Sequence, residues 1–375
     1  MPSLIEAVDP GGLLEYSVVY TDRALNHMSL TFQDVMRDIS STLKTAYNAH
    51  SAVVVPGSGS FGMESVARQF ANDKDCLIIR NGWFSYRWTQ ILEAGGISNN
   101  AHVLMSRRTG NQGPDQPFIP VPIDEAVDAI KQQQPSVVFA PHVETSAGMV
   151  LPDDYIAALA AAAHEVGGLF VLDCIASGTI WVDMQKTGVD VLISAPQKGW
   201  SGPPCCGLVM LSERARTEID NTESSSFAMD LKKWLQIMEA YESGGHAYHA
   251  TMPTESLRVF RNVMQETVAF GLPKAHEMQQ QLGDKVRALL ESNGFKSVAA
   301  EGFKAPGVVV NYTDDPAMQS GQKFKEIGLQ VAAGVPLMVN EGDDFRTFRL
   351  GLFGLDKLKN VDRTVQSLKQ ALAQL

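Results

Sequence analysis

The chain has 375 residues, 45% of them hydrophobic, which is enough for a large buried core divided between two domains. Its formal net charge of −11, from 31 basic and 42 acidic residues, argues against a nucleic-acid-binding or anionic-membrane surface. The 4 cysteines, Cys76, Cys174, Cys205 and Cys206, lack zinc-ligand spacing and read as reduced thiols.

Along the chain, Met1–Gly12 has neither a basic nor an apolar leader region, so no secretory signal is expected. The apolar runs are too short to span a bilayer, and the expectation is a cytoplasmic protein. Ala52–Pro56 reads as a buried strand that ends in a Gly/Ser turn. Met63, Val66, Ala67 and Phe70 then recur at helical spacing. Further strands are expected at Cys76–Ile79, Ser136–Ala140, Leu169–Leu172, Val189–Ile193 and Gly207–Leu211, with an alanine-rich helix over Asp154–Val166. Fully apolar strands alternating with helices specify an α/β fold, with a mostly parallel sheet covered on both faces. After about Pro253 the pattern changes. Helices are expected over Glu255–Phe270 and Lys274–Asn293, strands at Gly307–Val310 and Thr347–Leu350, and one amphipathic helix from Lys357 to Leu375. The expected organisation is an N-terminal segment (1–20) packing with the small domain and active site, a large α/β domain (21–253) and a small α+β domain (254–375).

In a parallel α/β sheet, ligands bind at the carboxyl ends of the strands. After the first strand, Gly57-Ser58-Gly59-Ser60 opens directly into a helix. Such a turn suits a phosphate, because helix N-terminal N–H groups and small hydroxyls face it; it also serves as an ordinary helix cap. Asp173 follows the apolar strand Leu169–Leu172. A carboxylate there needs a partner, either a structural donor or a cationic ring nitrogen. Lys198 follows the strand Val189–Ile193 in Ser194-Ala-Pro-Gln-Lys198. Burial would lower its pKa and make it nucleophilic, whereas a structural lysine would reach to solvent. The three in this order match what pyridoxal 5′-phosphate requires: a loop for the phosphate, an acid for the pyridine nitrogen and a lysine for the aldehyde.

The segments Val171-Leu-Asp173-Cys-Ile-Ala-Ser177, Asp190-Val-Leu-Ile-Ser-Ala-Pro-Gln-Lys198 and Phe348-Arg349-Leu-Gly-Leu-Phe-Gly354 resemble the class V, fold-type I aminotransferases. The resemblance is to the alanine–glyoxylate and serine–pyruvate enzymes and runs from about Ser51 to the C-terminus. It implies a seven-stranded large-domain sheet. It also implies that Lys198 forms the Schiff base, that Asp173 partners the ring nitrogen, and that Ser58, Gly59, Ser60 and Gln197 hold the phosphate. Asn81-Gly82-Trp83-Phe84 resembles the family's Asn-Gly-Xaa-Trp stretch, which places Phe84 on the ring face, with Trp83 as the adjacent alternative. Ile175 would pack on the opposite face. In His142-Val-Glu-Thr145, Thr145 would bond the ring hydroxyl. Tyr248-His-Ala-Thr251 resembles a segment that reaches the neighbouring subunit's phosphate, so Tyr248 and Thr251 imply a homodimer with shared active sites. Arg349 matches the arginine that grips a substrate carboxylate. Arg346, three residues earlier on a strand, should point the other way.

The implied reaction moves an amino group from a small amino acid, such as alanine or serine, to a small oxo acid, such as glyoxylate or pyruvate. A lyase, or an aminotransferase acting on an aminophosphonate, is the alternative. A cysteine desulfurase needs a late cysteine, and none follows Cys206. Two departures bear on substrate. Asp9–Ser17 replaces the family's Gly-Pro-rich opening loop, and Ser60 stands where several relatives carry histidine.

Overall fold

The computed structural model describes residues 8–110 and 115–375; residues 1–7 of the expected N-terminal segment lie outside it. Seven strands form the main sheet: β1 (Ser51–Pro56), β2 (Cys76–Arg80), β3 (Ala101–Met105), β4 (Val137–Pro141), β5 (Leu169–Asp173), β6 (Val191–Ser194) and β7 (Cys206–Leu211). Their spatial order is β1-β7-β6-β5-β4-β2-β3. Only β7 runs against its neighbours; the pairings among β6, β5, β4, β2 and β3 are parallel. Leu77, Ile78 and Ile79, like Val191, Leu192 and Ile193, are fully buried. Successive side chains point to opposite faces, so both faces of the sheet are covered. The fold is the expected α/β fold with a mostly parallel sheet.

The covering helices include α1 (Leu30–Tyr47), α2 (Gly59–Phe70), α3 (Trp83–Gly95), α4 (Ile123–Gln133), α5 (Asp153–Glu165) and α6 (Leu231–Glu242). Helix α7 (Thr254–Phe270) begins just past the expected boundary at residue 253, yet its Leu257, Phe260 and Met264 join the core of the main sheet. A separate apolar core begins with Ala275 on α8 (Leu272–Ser292). It gathers Leu282, Val286 and Leu290 against Phe348 and Leu350. There a second sheet pairs β8 (Val308–Tyr312) and β9 (Ala332–Ala333), both antiparallel to β10 (Thr347–Gly351). A third cluster sets Phe118, Val143 and Met149 beside Val308, Val310 and Leu337.

The single C-terminal helix expected from Lys357 is two helices, α9 (Leu355–Lys359) and α10 (Val361–Leu372). Asn360 breaks them: its backbone leaves the helical region and its side chain caps the Arg363 N–H. Residues 8–20 lie against the start of α1 and the residues before it. Thr31 donates to Asp9 at 2.9 Å, and Asn26 donates to Glu15 at 2.9 Å. Among the described residues, no helix is long and apolar enough to cross a membrane.

Candidate active site

The segments that follow three strands of the sheet deliver side chains to one cavity of about 210 Å3. From β1 comes the turn into α2. Ser58 is the N-cap of that helix but makes no capping hydrogen bond, so the first-turn N–H groups lack the usual side-chain acceptor. Gly59 leaves room for Ile175: a Cβ there would stand 2.6 Å from Ile175 Cδ1, and that side chain would have to shift. From β5 comes Asp173, which is the last residue of the strand rather than the first beyond it, and is buried. Its Oδ1 accepts from the Ile175 N–H at 2.9 Å. From β6 comes Lys198, which is not at the strand end itself. The strand stops at Ser194, and Lys198 sits half-buried in the turn beyond it.

Ser58, Gly59, Ser60, Phe84, Thr145, Asp173, Ile175, Gln197 and Lys198 all line this cavity. Of the two adjacent aromatics it is Phe84 that does so, while Trp83 sets its ring beside Tyr86. Arg349 stands near Phe84, its guanidinium carbon 5.5 Å from that ring's centroid, and its Nε donates to the Ala333 carbonyl at 2.7 Å. Arg349 lies within β10 and is half-buried, whereas Arg346 is exposed and precedes that strand, so the alternation expected of the two does not apply. Tyr248 and Thr251 do not line this cavity. Tyr248 is 53% exposed, and its hydroxyl lies 3.2 Å from that of Thr251.

Burial sets the electrostatics. It pushes the Asp173 carboxyl up to about 7, against the Ile175 N–H bond and the nearby Arg87 and Lys198 charges. Burial also lowers the Lys198 amine; Arg349 acts in the same direction and Asp173 against it. His142 is driven down to about 4 by burial, so it is neutral, with Nδ1 2.7 Å from Ser177 Oγ.

Three neighbours escape a reading of the sequence. Arg87 lines the cavity; its Nη1 donates to Ser60 Oγ at 3.0 Å, and its guanidinium lies 5.2 Å from the Phe84 centroid. Its place three residues after Phe84, on one helical face, is the signal that could have found it. Glu144 is fully buried and holds the N-terminus of α3. It accepts from the Phe84 and Ser85 N–H groups at 3.2 and 2.8 Å, and from the Ser85 and Ser146 hydroxyls at 2.7 Å. Gly82 permits this approach, since a Cβ there would fall 2.1 Å from Ser146 Oγ. Phe353 sets its ring centroid 4.9 Å from Lys198 Nζ.

The cavity fits a flat ring carrying a phosphate. The uncapped α2 N-terminus offers N–H donors, and the buried Gln197 Oε1 has no partner in the protein. Among the described residues, no cluster of His, Cys, Asp or Glu could hold a metal ion.

The sequence pattern of the family described as Aminotransferase class-V matches residues 12–334. The 2-aminoethylphosphonate–pyruvate transaminase of Salmonella typhimurium is 26% identical over 322 residues, covering 84% of this chain and 83% of that protein. Among solved structures, the alanine–glyoxylate aminotransferase of a Nostoc species superposes with a TM-score of 0.77 at 19% identity, over 93% of this chain and 89% of that one. The ureidoglycine–glyoxylate aminotransferase of Bacillus subtilis gives 0.76 at 21% identity, over 96% and 88%. These structural likenesses concern the fold.

Proposed function

The chain belongs to the class-V aminotransferase family, a family of pyridoxal-phosphate-dependent transaminases, and from that premise we propose how its own residues bind the cofactor and which substrates it takes. The observation that carries the reading is the meeting of Lys198, Asp173, Gln197 and the Ser58–Ser60 turn in one cavity, with Phe84 and Ile175 in the same lining. Lys198 would hold pyridoxal phosphate through Nζ. Ser58, Gly59, Ser60 and Gln197 would receive the phosphate, Phe84 and Ile175 would flank the ring, and Thr145 would bond its hydroxyl. When bound, the cofactor supplies an electrophilic carbon and a ring that draws off negative charge. Asp173 would stand beside the ring nitrogen, whose positive charge would hold the raised carboxyl ionised so that the nitrogen keeps its proton. Arg349 offers a planar fork to the substrate carboxylate. Once freed, the Lys198 amine takes the donor's α-proton at Nζ, a role helped by its lowered pKa.

The proposed donor is a small amino acid such as alanine or serine, and the acceptor a small oxo acid such as glyoxylate or pyruvate. An aminophosphonate donor is the second reading, favoured by the similarity to the Salmonella transaminase across most of both chains. Tyr248 and Thr251, exposed and outside this chain's cavity, would reach the phosphate of a second copy in a homodimer. The absorption spectrum of the purified protein, recorded with pyridoxal phosphate and then with alanine, serine or 2-aminoethylphosphonate singly, tests the reading. A visible band that one donor converts identifies that donor. A band that none converts points to a lyase. Absence of any band would overturn the cofactor assignment.

A further inference from the structure

The segment after Arg349 turns back onto the lysine. The Phe353 ring packs beside glycines from three parts of the chain, of which only Gly307 would crowd it if it carried a side chain. A Cβ on Gly307 would stand 3.2 Å from the ring, one on Gly351 3.6 Å and one on Gly178 3.7 Å. Gly178 belongs to the loop after Asp173, and Gly307 directly precedes β8. Two residues beyond Phe353, the Leu355 N–H donates to Ser201 Oγ at 2.6 Å. Ser201 is in the turn that carries Lys198 and holds a left-handed φ of 58°. The C-terminal segment therefore grips the lysine turn twice, once by a hydrogen bond and once by an aromatic face.

We propose that Phe353 is a positioning residue for Lys198, its ring face holding Nζ in place and favouring the ammonium while the lysine carries the donor's proton. The proposal rests on the role given to Lys198 above. A ring's quadrupole attracts an ammonium, more strongly where water is excluded. The other groups acting on Nζ come from separate elements. Asp173 on β5 favours the ammonium, and Arg349 on β10 opposes it, as does burial. Arg87 on α3 adds a further positive charge to the same cavity lining. Leucine at 353 would keep the wall apolar and remove the quadrupole. Tyrosine would keep the aromatic face.

The test is the titration of Lys198 itself in the full-length protein cleared of cofactor. Trace acetylation with acetic anhydride across a pH series, read as the yield of the modified Lys198 peptide by mass spectrometry, gives the amine's midpoint. For Phe353→Leu the midpoint is expected to fall by about half to one unit, making the amine roughly three- to tenfold more reactive on the acid side. Phe353→Tyr should return it to the wild-type value. In the holoenzyme, the acid limb of the donor half-reaction should move the same way in the leucine variant. An unchanged or raised midpoint in Phe353→Leu would overturn the proposal. If that variant does not fold, Phe353→Met makes the same comparison with an unbranched apolar side chain. The labelling needs no cofactor, so a failure of the lysine to attach pyridoxal phosphate would show in the absorption spectrum and not here.

Discussion

Lys198 and Arg349 carry the same formal charge, and burial lowers the pKa of both, yet their chemistry separates them. A lysine amine can lose its proton and become a nucleophile, whereas a guanidinium stays charged and presents a fork. Lys198→Ala should therefore abolish the visible band and nearly all turnover while leaving the far-ultraviolet circular dichroism unchanged; full activity would refute the assignment. Arg349→Ala should lower kcat/KM for carboxylate donors about 10²- to 10³-fold, on the scale of a lost charge-assisted contact, as steady-state kinetics would show. Asp173 makes a prediction about stability. Its ordinary value is 3.8 and its value in the fold is about 7, so between these limits the cofactor-free fold binds a proton that the unfolded chain does not. That contribution is present below about 4 and is lost as pH rises through 7. Thermal unfolding of the cofactor-free Asp173→Asn variant should fall less steeply over that window than the wild type. Parallel curves would mean that Asp173 does not titrate there.

At the scale of elements, α3 depends on a residue far away in sequence. Its N-terminal N–H groups have no partner within the helix, and Glu144 supplies one from the segment following β4. A buried carboxylate at a helix N-terminus is also favourable to the helix dipole. Glu144→Gln puts an amide N–H₂ where an acceptor is needed. We expect a loss of about 2–3 kcal/mol in denaturant unfolding, the scale of hydrogen bonds to a charged group. Weaker cofactor binding should accompany it, because Phe84 sits in the first turn of α3. Unchanged stability would show that the Ser85 and Ser146 hydroxyls suffice. The break at Asn360 follows the same logic: a side-chain acceptor for an N–H three residues on starts a new helix, and the apolar pattern runs through it without a sign.

The whole molecule gathers its site by topology. Strands that run in the same direction end at one edge of the sheet, and the turns that line the cavity follow β1, β5 and β6 there. The second sheet adds Arg349 and the segment bearing Phe353. If Tyr248 and Thr251 complete the partner's phosphate site, complementation will reveal it. Lys198→Ala and Tyr248→Phe/Thr251→Ala proteins, each impaired alone at limiting cofactor, should on mixing and subunit exchange recover about a quarter of wild-type sites, because half the dimers are hybrids with one intact site each. No recovery from demonstrated hybrid dimers would place both residues outside the partner's site.

By itself the sequence determined the fold class and the order in which the cavity-lining segments come along the chain. Runs such as Cys76–Ile79 and Val191–Ile193 are apolar at every position, as strands buried on both faces are, and Asp173 and the Ser58–Ser60 turn stand where such strands end. The strand Ala101–Met105 escaped because it is an edge strand whose residues are only partly buried, so its pattern is weak. Tertiary structure alone decided that Phe84 rather than Trp83 faces the cavity, that Arg87 meets Ser60, that Glu144 holds α3, and that Phe353 faces Lys198. Each of these is a contact between residues brought together by packing, and local periodicity reports which face of an element is buried, not what it is buried against.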